Sequence, residues 1–318
     1  MPRRKFRETV PKIVIIRKSL PVFVSLLVLG LVLFQPGCAR FGSSELLQRY
    51  PAAATGYFIW AHSDIQPLST QDRGYYEIAI ADVQANFRNV PLAIVAGDLV
   101  QRRDSASVYR WILDLQSRTN IPRWLMIAGN HEWRDIGLYK EKIGTPLRYT
   151  ATWGNVVFIM MSNEKPGRRT YISDDTFAWW KQQVVNNQDK ILVTVTHASL
   201  ERSGLLAAPL HRLQIIDSER FRDVLKQYHM DVWISGHSHF PGYLPRMHHR
   251  NRRLNNTLFV DLGAIRKDIM TLVESRLFHF EEGSDQVALY YRDHERERFT
   301  HRRTFEMRHP FTKYPERR

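Results

Sequence analysis

The sequence predicts an α/β fold with two mixed sheets covered by helices, and three observations carry that expectation. Short apolar runs of strand length alternate with amphipathic helical stretches early in the chain. Several of those runs end in Asp, Asn, His or Gln rather than in plain turn residues. Hairpin patterns replace helices toward the C-terminus, so parallel and antiparallel strands must share the sheets.

The organising stretch is Leu92-Ala93-Ile94-Val95-Ala96-Gly97-Asp98, an apolar run bounded by Pro91 and Gly97 that reads as a strand buried on both faces. Alone, Asp98 is as well explained as a cap for the next helix. Four other segments repeat the form: Tyr57–Ala61 leads into His62, Asp64 and Gln66; Trp124–Ala128 into Asn130, His131 and Glu132; Ile191–Val195 into His197; and Val232–Ile234 into His237 and His239. In open α/β folds the crevice beyond the carboxyl ends of the strands binds ligands, so these ends are expected to converge there.

Between them, Asp72 to Arg88 has helical spacing at Tyr76, Ile80, Val83 and Phe87. Ser105 to Arg118 is a second helix, with Ser105 or Ser107 as caps and Val108, Trp111, Ile112 and Leu115 inward. Tyr149–Trp153 and Val156–Met161 flank Gly154-Asn155 as a hairpin. Asp174 to Asn187 is a helix whose Trp179-Trp180 pair reads as core, and Asp217 to Tyr228 is another, carrying Phe221, Val224 and Leu225. Thr257–Asp261, Leu272–Phe280 and Val287–Tyr291 are strands. Arg246 to Arg253, with His248-His249, reads as a loop of solvated charge, with a role in binding an anionic substrate as the alternative, and Arg168-Arg169 and Arg266 read the same way. From Arg292 on, charge crowds and apolar periodicity fails, which predicts a basic tail over 292–318.

A chain of 318 residues that is 43% hydrophobic can bury one substantial core. Of its formal charge of +14, the first twenty residues supply +6 and the segment from Arg292 supplies +4, leaving a mildly basic body over 56–291. A nucleic-acid binder is not indicated. Arg3, Arg4, Lys5, Arg7, Lys12, Arg17 and Lys18 precede an uncharged apolar run from Leu20 to Phe34, the layout of a signal peptide or signal anchor over 1–41, followed by a tether over 42–55. Gly37-Cys38 resembles the lipobox of bacterial lipoproteins, although Gln35 and Pro36 depart from it. A lipoprotein, an uncleaved anchor and a secreted protein all remain open. Each sends the body across the membrane, so the expected location is membrane-associated with the catalytic domain outside the cytoplasm. A lone cysteine excludes an intramolecular disulfide framework.

Asp64-x-Gln66, Gly97-Asp98, Gly129-Asn130-His131-Glu132, His197 and Gly236-His237-x-His239 together resemble the ordered blocks of the calcineurin-like metallophosphoesterases, over residues 57 to 265. The resemblance implies a four-layer α/β/β/α sandwich. It also implies two divalent or trivalent ions (Mn, Zn or Fe), with a bridging hydroxide attacking a phosphomonoester or phosphodiester in line. The first ion would take Asp64, Gln66, Asp98 and His239, and the second Asp98, Asn130, His197 and His237. His131 would hydrogen-bond the phosphate or protonate the leaving group.

Two such ions lie about 3.5–4 Å apart and need a shared carboxylate. If His237 and His239 are extended, their spacing points both rings the same way. Gln66 departs from the family's histidine, which implies a looser first ion or a different metal preference; His62 is a candidate substitute, although a packed or hydrogen-bonded histidine explains it better. Glu132 is expected to support the loop behind His131 rather than to ligate. A catalytically weak relative acting as a binding module is the alternative that Gln66 supports. An anionic-polymer binder driven by the basic tails is a third, recognisable by steep salt dependence. Substrate choice is expected to lie in the loops Glu164–Tyr171 and Leu200–Gln214.

Overall fold

In the computed structural model, which describes residues 55–101, 106–267 and 271–314, the apolar runs form strands and the periodic stretches form helices. In chain order the elements are β1 (Tyr57–His62), α1 (Thr70–Asn86), β2 (Leu92–Val95), α2 (Ala106–Ser117), β3 (Trp124–Met126), α3 (Ile136–Ile143), β4 (Arg148–Trp153) and β5 (Val156–Met161). There follow α4 (Asp174–Asn186), β6 (Ile191–Thr196), α5 (Ser218–Gln227), β7 (Val232–Ser235), β8 (His248–Asn251), β9 (Thr257–Asp261), β10 (Glu274–Phe280), β11 (Gln286–Asp293) and β12 (Arg298–Glu306).

One sheet has the order β12-β11-β10-β1-β2-β3 and the other β4-β5-β6-β7-β9-β8. β1, β2 and β3 pair in parallel, as do β5, β6, β7 and β9, while the remaining pairings are antiparallel. Both sheets are therefore mixed.

Alternation along the strands builds the layers, because successive side chains point to opposite faces. Ile59 and Ala61 meet Ile94, Phe158, Val193, Val195 and Ile234 between the two sheets. Phe58 and Trp60 face the other way, onto Tyr76, Ile80 and Val83 of α1. On the far side Trp180 and Val184 of α4 and Phe221, Val224 and Leu225 of α5 cover the second sheet. Trp180 is fully buried, 5.6 Å from the Trp233 ring and 5.0 Å from Phe221, so it belongs to the core as expected. The architecture is helix, sheet, sheet, helix.

Local chemistry sets the helix ends. Ser69 and Asp72 form a reciprocal capping box on α1, and Ser173 caps α4. Of the two caps expected for α2, Ser107 lies inside the helix and Ser105 lies outside the described residues. The face of α2 that is fully buried is Tyr109, Ile112 and Gln116; Val108, Trp111 and Leu115 are half-buried around it.

Three elements depart from the sequence reading. The short helix α3 was not expected; Asp135 caps its start and Gly144, at φ 73°, ends it. Arg246 to Arg253 is not wholly loop, since β8 pairs antiparallel with β9. The segment from Arg292 is not a solvated tail over residues 292–314: β11 runs to Asp293, and β12 pairs with it from Arg298 to Glu306. An edge strand leaves one side and much of one face in water and so tolerates charge. A register shift at Tyr291/Arg292 breaks the period-two pattern further. Met307 and Phe311 then enter the inter-sheet core, and Asn155 in the β4–β5 turn donates to the Pro310 carbonyl at 2.7 Å. The expected anchor over 1–41, Cys38 and all of the tether but Thr55 lie outside the described residues. Among the described residues no helix is long and apolar enough to cross a membrane.

Candidate metal centre

The carboxyl ends of β1, β2, β3, β6 and β7 meet at one edge of the sandwich, because the parallel pairing points them the same way. Asp64 and Gln66 follow β1, Asp98 follows β2, Asn130 and His131 follow β3, His197 follows β6, and His237 and His239 follow β7. All eight predicted site residues gather there. Asp64, Asp98 and His197 are buried, and Gln66 is only 2% exposed.

The backbone bends sharply to achieve this. Asp64 (φ 56°), Gln66 (34°), Asp98 (55°), His237 (68°) and His239 (54°) all adopt the left-handed region without being glycine. Such residues cost on the order of 1–3 kcal/mol each and persist where surrounding contacts over-determine them. His237 and His239 are thus not aligned by strand alternation, as their spacing suggested; β7 ends at Ser235 and both histidines sit in left-handed turns. Close approach also demands small residues. A Cβ on Gly129 would strike Asp98 Oδ1, and one on Gly236 would strike Ser63 Oγ.

Asp98 sits at the centre. Its Oδ1 accepts from the His131 backbone N–H at 2.8 Å, and its Oδ2 lies 2.6 Å from Gln66 Nε2 and 3.2 Å from His197 Nε2. His197 Nε2 is 3.2 Å from Asn130 Oδ1 and 3.1 Å from His237 Nδ1. The Asp98, His197 and His237 donor atoms all lie within 4.8 Å of one another. Next to this cluster, Asp64 Oδ1 is 2.9 Å from His239 Nε2, and Asp64 Oδ2 accepts from the His237 backbone N–H at 2.8 Å.

The hydrogen-bond partners of the rings fix where lone pairs point. His197 Nδ1 is 2.8 Å from the Ala96 carbonyl, which can only accept, so that nitrogen carries the proton. His237 Nε2 likewise donates to the Arg212 carbonyl at 3.2 Å. In the neutral tautomers, His197 Nε2, His237 Nδ1, Asp98 Oδ2 and Asn130 Oδ1 all turn lone pairs toward one point. Apart from the Gln66 N–H on Asp98 Oδ2 no side-chain hydrogen points among these acceptors, and such a cluster is stable only around a cation, either a proton or a metal ion. Mixed N and O donors suit Mn, Zn or Fe.

Electrostatics agree. Burial pulls the His197 imidazole down, but the Asp98 carboxylate, with Asp64 behind it, outweighs that and pushes it up to about 10. Burial and then His197 lower His237 to about 4, which keeps its Nδ1 lone pair available. Burial opposes the ionised form of Asp64, yet the adjacent His239 holds its carboxyl below the ordinary range. His131 is lowered mainly by burial, against the pull of Asp98.

A pH prediction follows from His197. Its folded value lies above the unfolded one, so without a metal its proton adds stability that is complete below about pH 6.5 and lost as pH rises through about 10. An entering ion must displace that proton. Affinity for Mn or Zn is therefore expected to rise with pH across this window, by up to about tenfold per unit. Calorimetric titration in buffers of different ionisation heat counts the protons released; a count of zero would remove His197 from the ion's shell.

Glu132 supports the loops, as expected. Its carboxylate accepts from the backbone N–H of Gly129 (2.6 Å), Asp98 (2.9 Å), Leu99 (2.8 Å) and Val100 (3.3 Å), which ties the Asp98 turn to the Asn130 turn. Burial and the charge of Asp98 push it up to about 7 against those donors. His62 packs among Trp60, Tyr76 and Trp124 with both ring nitrogens lacking a hydrogen-bond partner, and burial lowers it to about 3. It is a core histidine and not a substitute donor. Of the two loops expected to shape the substrate, Leu200–Gln214 reaches the centre through the Arg212 carbonyl.

Arg266, read from the sequence as a solvated arginine or a contact for an anionic substrate, instead reaches Gln66. Its Nη1 donates to Gln66 Oε1 at 2.8 Å, across 200 residues of chain. Nothing in its local sequence distinguishes it from a solvated arginine.

Comparison with known proteins agrees with this fold. Purple acid phosphatase from yellow lupin (Lupinus luteus) seeds has a similar structure, with a TM-score of 0.61 at 13% identity, covering 81% of this chain and 55% of that one. The chain thus spans about half the length of the lupin enzyme. GAP50, the anchor in the inner membrane complex of Plasmodium, gives 0.58 at 10% identity, with 81% and 90% covered. At these identities the likeness speaks for the fold alone. No curated protein matches the chain significantly. The pattern of the calcineurin-like phosphoesterases matches residues 59–241, a stretch that is more than half of the chain and holds every residue from Asp64 to His239: the chain belongs to that family.

Proposed function

We propose that this chain is a metal-dependent phosphoester hydrolase acting on a phosphomonoester or phosphodiester outside the cytoplasmic membrane. The observation that carries the reading is the convergence of lone pairs from Asp98, Asn130, His197 and His237, with both imidazole protons committed to carbonyls elsewhere. Those four residues would hold one ion. Asp64 and His239, together with Asp98, would offer an adjoining position for a second. Bound metal would supply positive charge for the phosphoryl oxygens and lower the pKa of attacking water.

The protein's own groups do the rest. Glu132 holds the Asp98 and Asn130 turns in register, so the donors need little rearrangement. With its Nδ1–H directed to the Gln101 carbonyl at 3.2 Å, His131 accepts through Nε2 when neutral. When charged, it donates from the same atom to a phosphoryl oxygen or a leaving group. The proposed location rests on the basic-then-apolar N-terminus, which orients the body outward.

The test is turnover of 4-nitrophenyl phosphate and bis(4-nitrophenyl) phosphate by native protein, by chelator-stripped protein, and by stripped protein reloaded with Mn, Zn or Fe. Activity on one ester is expected, lost on stripping and restored by at least one ion. Protein that binds ions yet turns over neither ester would be a binding module. Protein that retains no ion and hydrolyses nothing would end the reading.

A further inference from the structure

Gln66 stands where the resemblance implies an imidazole ligand, and its surroundings dictate which way its amide faces. A guanidinium only donates, so the amide atom 2.8 Å from Arg266 Nη1 must be the oxygen. The amide nitrogen then faces Asp98 Oδ2 at 2.6 Å, as an N–H donor to the carboxylate that the two ion positions would share. An N–H group cannot ligate a cation. Turning the amide over would set its NH2 against the Arg266 guanidinium, donor to donor, and cost the residue both hydrogen bonds.

Charge points the same way. The Arg266 guanidinium is hydrogen-bonded to Gln66, whose other amide atom touches Asp98, so a fixed positive charge lies one side chain away from the central carboxylate. Arg266 is half-buried and Gln66 is buried, so water screens this field only in part.

We propose that Arg266 is the resident cation of the first ion position. Through Gln66 it supplies the positive charge that offsets Asp64 and Asp98, and it leaves the chain with two unequal metal positions. One ion binds tightly to Asp98, Asn130, His197 and His237. An ion beside Asp64 and His239 lacks a fourth protein donor, meets an N–H group and is repelled by a guanidinium. This rests on the metal-dependent reading above and deepens it.

The experiment counts ions rather than turnover. Full-length protein is stripped, checked for folding by circular dichroism, and titrated with Mn or Zn by calorimetry, with elemental analysis of the loaded protein after gel filtration. Wild type, Gln66→His, Arg266→Ala and the double variant are compared. Wild type is expected to retain one ion per chain, with any second at least about 100-fold weaker, because like charges repel strongly at partly buried sites. Arg266→Ala is expected to tighten the second ion, and Gln66→His with Arg266→Ala to bring the two affinities within about tenfold of each other.

Two ions of equal affinity in wild type would overturn the inference while leaving the hydrolase reading intact. So would an Arg266→Ala variant that folds and leaves the second affinity unchanged. Failure of wild type to bind any ion would instead overturn the hydrolase reading, and this inference with it.

Discussion

Asp98→Asn is expected to lower phosphoester hydrolysis by more than about 10³-fold and to strip most of the bound metal, because removing the central charge removes the electrostatic stabilisation the site provides. One Asp98 oxygen accepts the His131 backbone N–H and the other faces the Gln66 amide nitrogen. Either orientation of an asparagine amide sets its NH2 against one of those donors. Loss of the carboxylate also removes the main charge that raises His197, so burial would leave that imidazole neutral. The measurement is kcat/KM on an aryl phosphoester with ion content by elemental analysis, on protein verified as folded. A folded Asp98→Asn variant within about tenfold of wild type would place the chemistry elsewhere.

The second large effect is on stability and lies away from the centre. Asp82 on α1 is 3% exposed and binds Arg292 through both carboxylate oxygens, at 2.5 and 2.8 Å, while its Oδ2 also accepts from His294 Nδ1 at 2.6 Å. His294 Nε2 lies 2.8 Å from Ser275 Oγ, which in turn accepts from Trp60 Nε1 at 2.8 Å. Burial lowers His294 against the pull of Asp82, so the serine hydroxyl donates to it and the series runs unbroken from Asp82 to Trp60. Ser, His and Asp in series resemble a nucleophilic triad, but all three are buried, so the network is structural.

Asp82→Ala leaves a buried guanidinium without its counter-charge and is expected to cost about 3–5 kcal/mol. For a domain of this size that corresponds to a fall in Tm of roughly 10 °C. Asp82→Ala with Arg292→Met should recover much of the loss, since removing both charges of a buried pair is far milder than removing one. Thermal melts of the two variants decide it. A shift of under about 2 °C for the single change would mean that the ion pair contributes nothing net.

Much of the centre was legible because the chemistry uses side chains that are rare at the ends of apolar strands. Asn130 alone reads as a turn residue, His197 as a core histidine and His237 and His239 as a strand end, and it is the joint occurrence of these residues with Asp98, in this order, that narrows the alternatives. The sheets followed from the same runs, since Ile191–Thr196 and Val156–Met161 are apolar on both faces and must be central. What stayed hidden has a common cause, which is that it depends on neighbours remote in sequence. Arg266 looks like any surface arginine until Gln66 arrives from 200 residues away. The left-handed turns at His237 and His239 follow from packing against Asp64, and no residue type announces them. β12 is masked by charges that an edge strand can carry in water, and the partner strand that orders it is shifted in register.

The pairing of β1 with β10 has a temporal consequence. Trp60 bonds Ser275 across 215 residues, and Met307 and Phe311 complete the apolar layer between the sheets. During synthesis, which runs from the N-terminus, β1 must wait for almost the whole polypeptide to emerge before its second neighbour exists. Contacts of such long separation form slowly. The sandwich therefore closes only once residues 274–311 are free to dock.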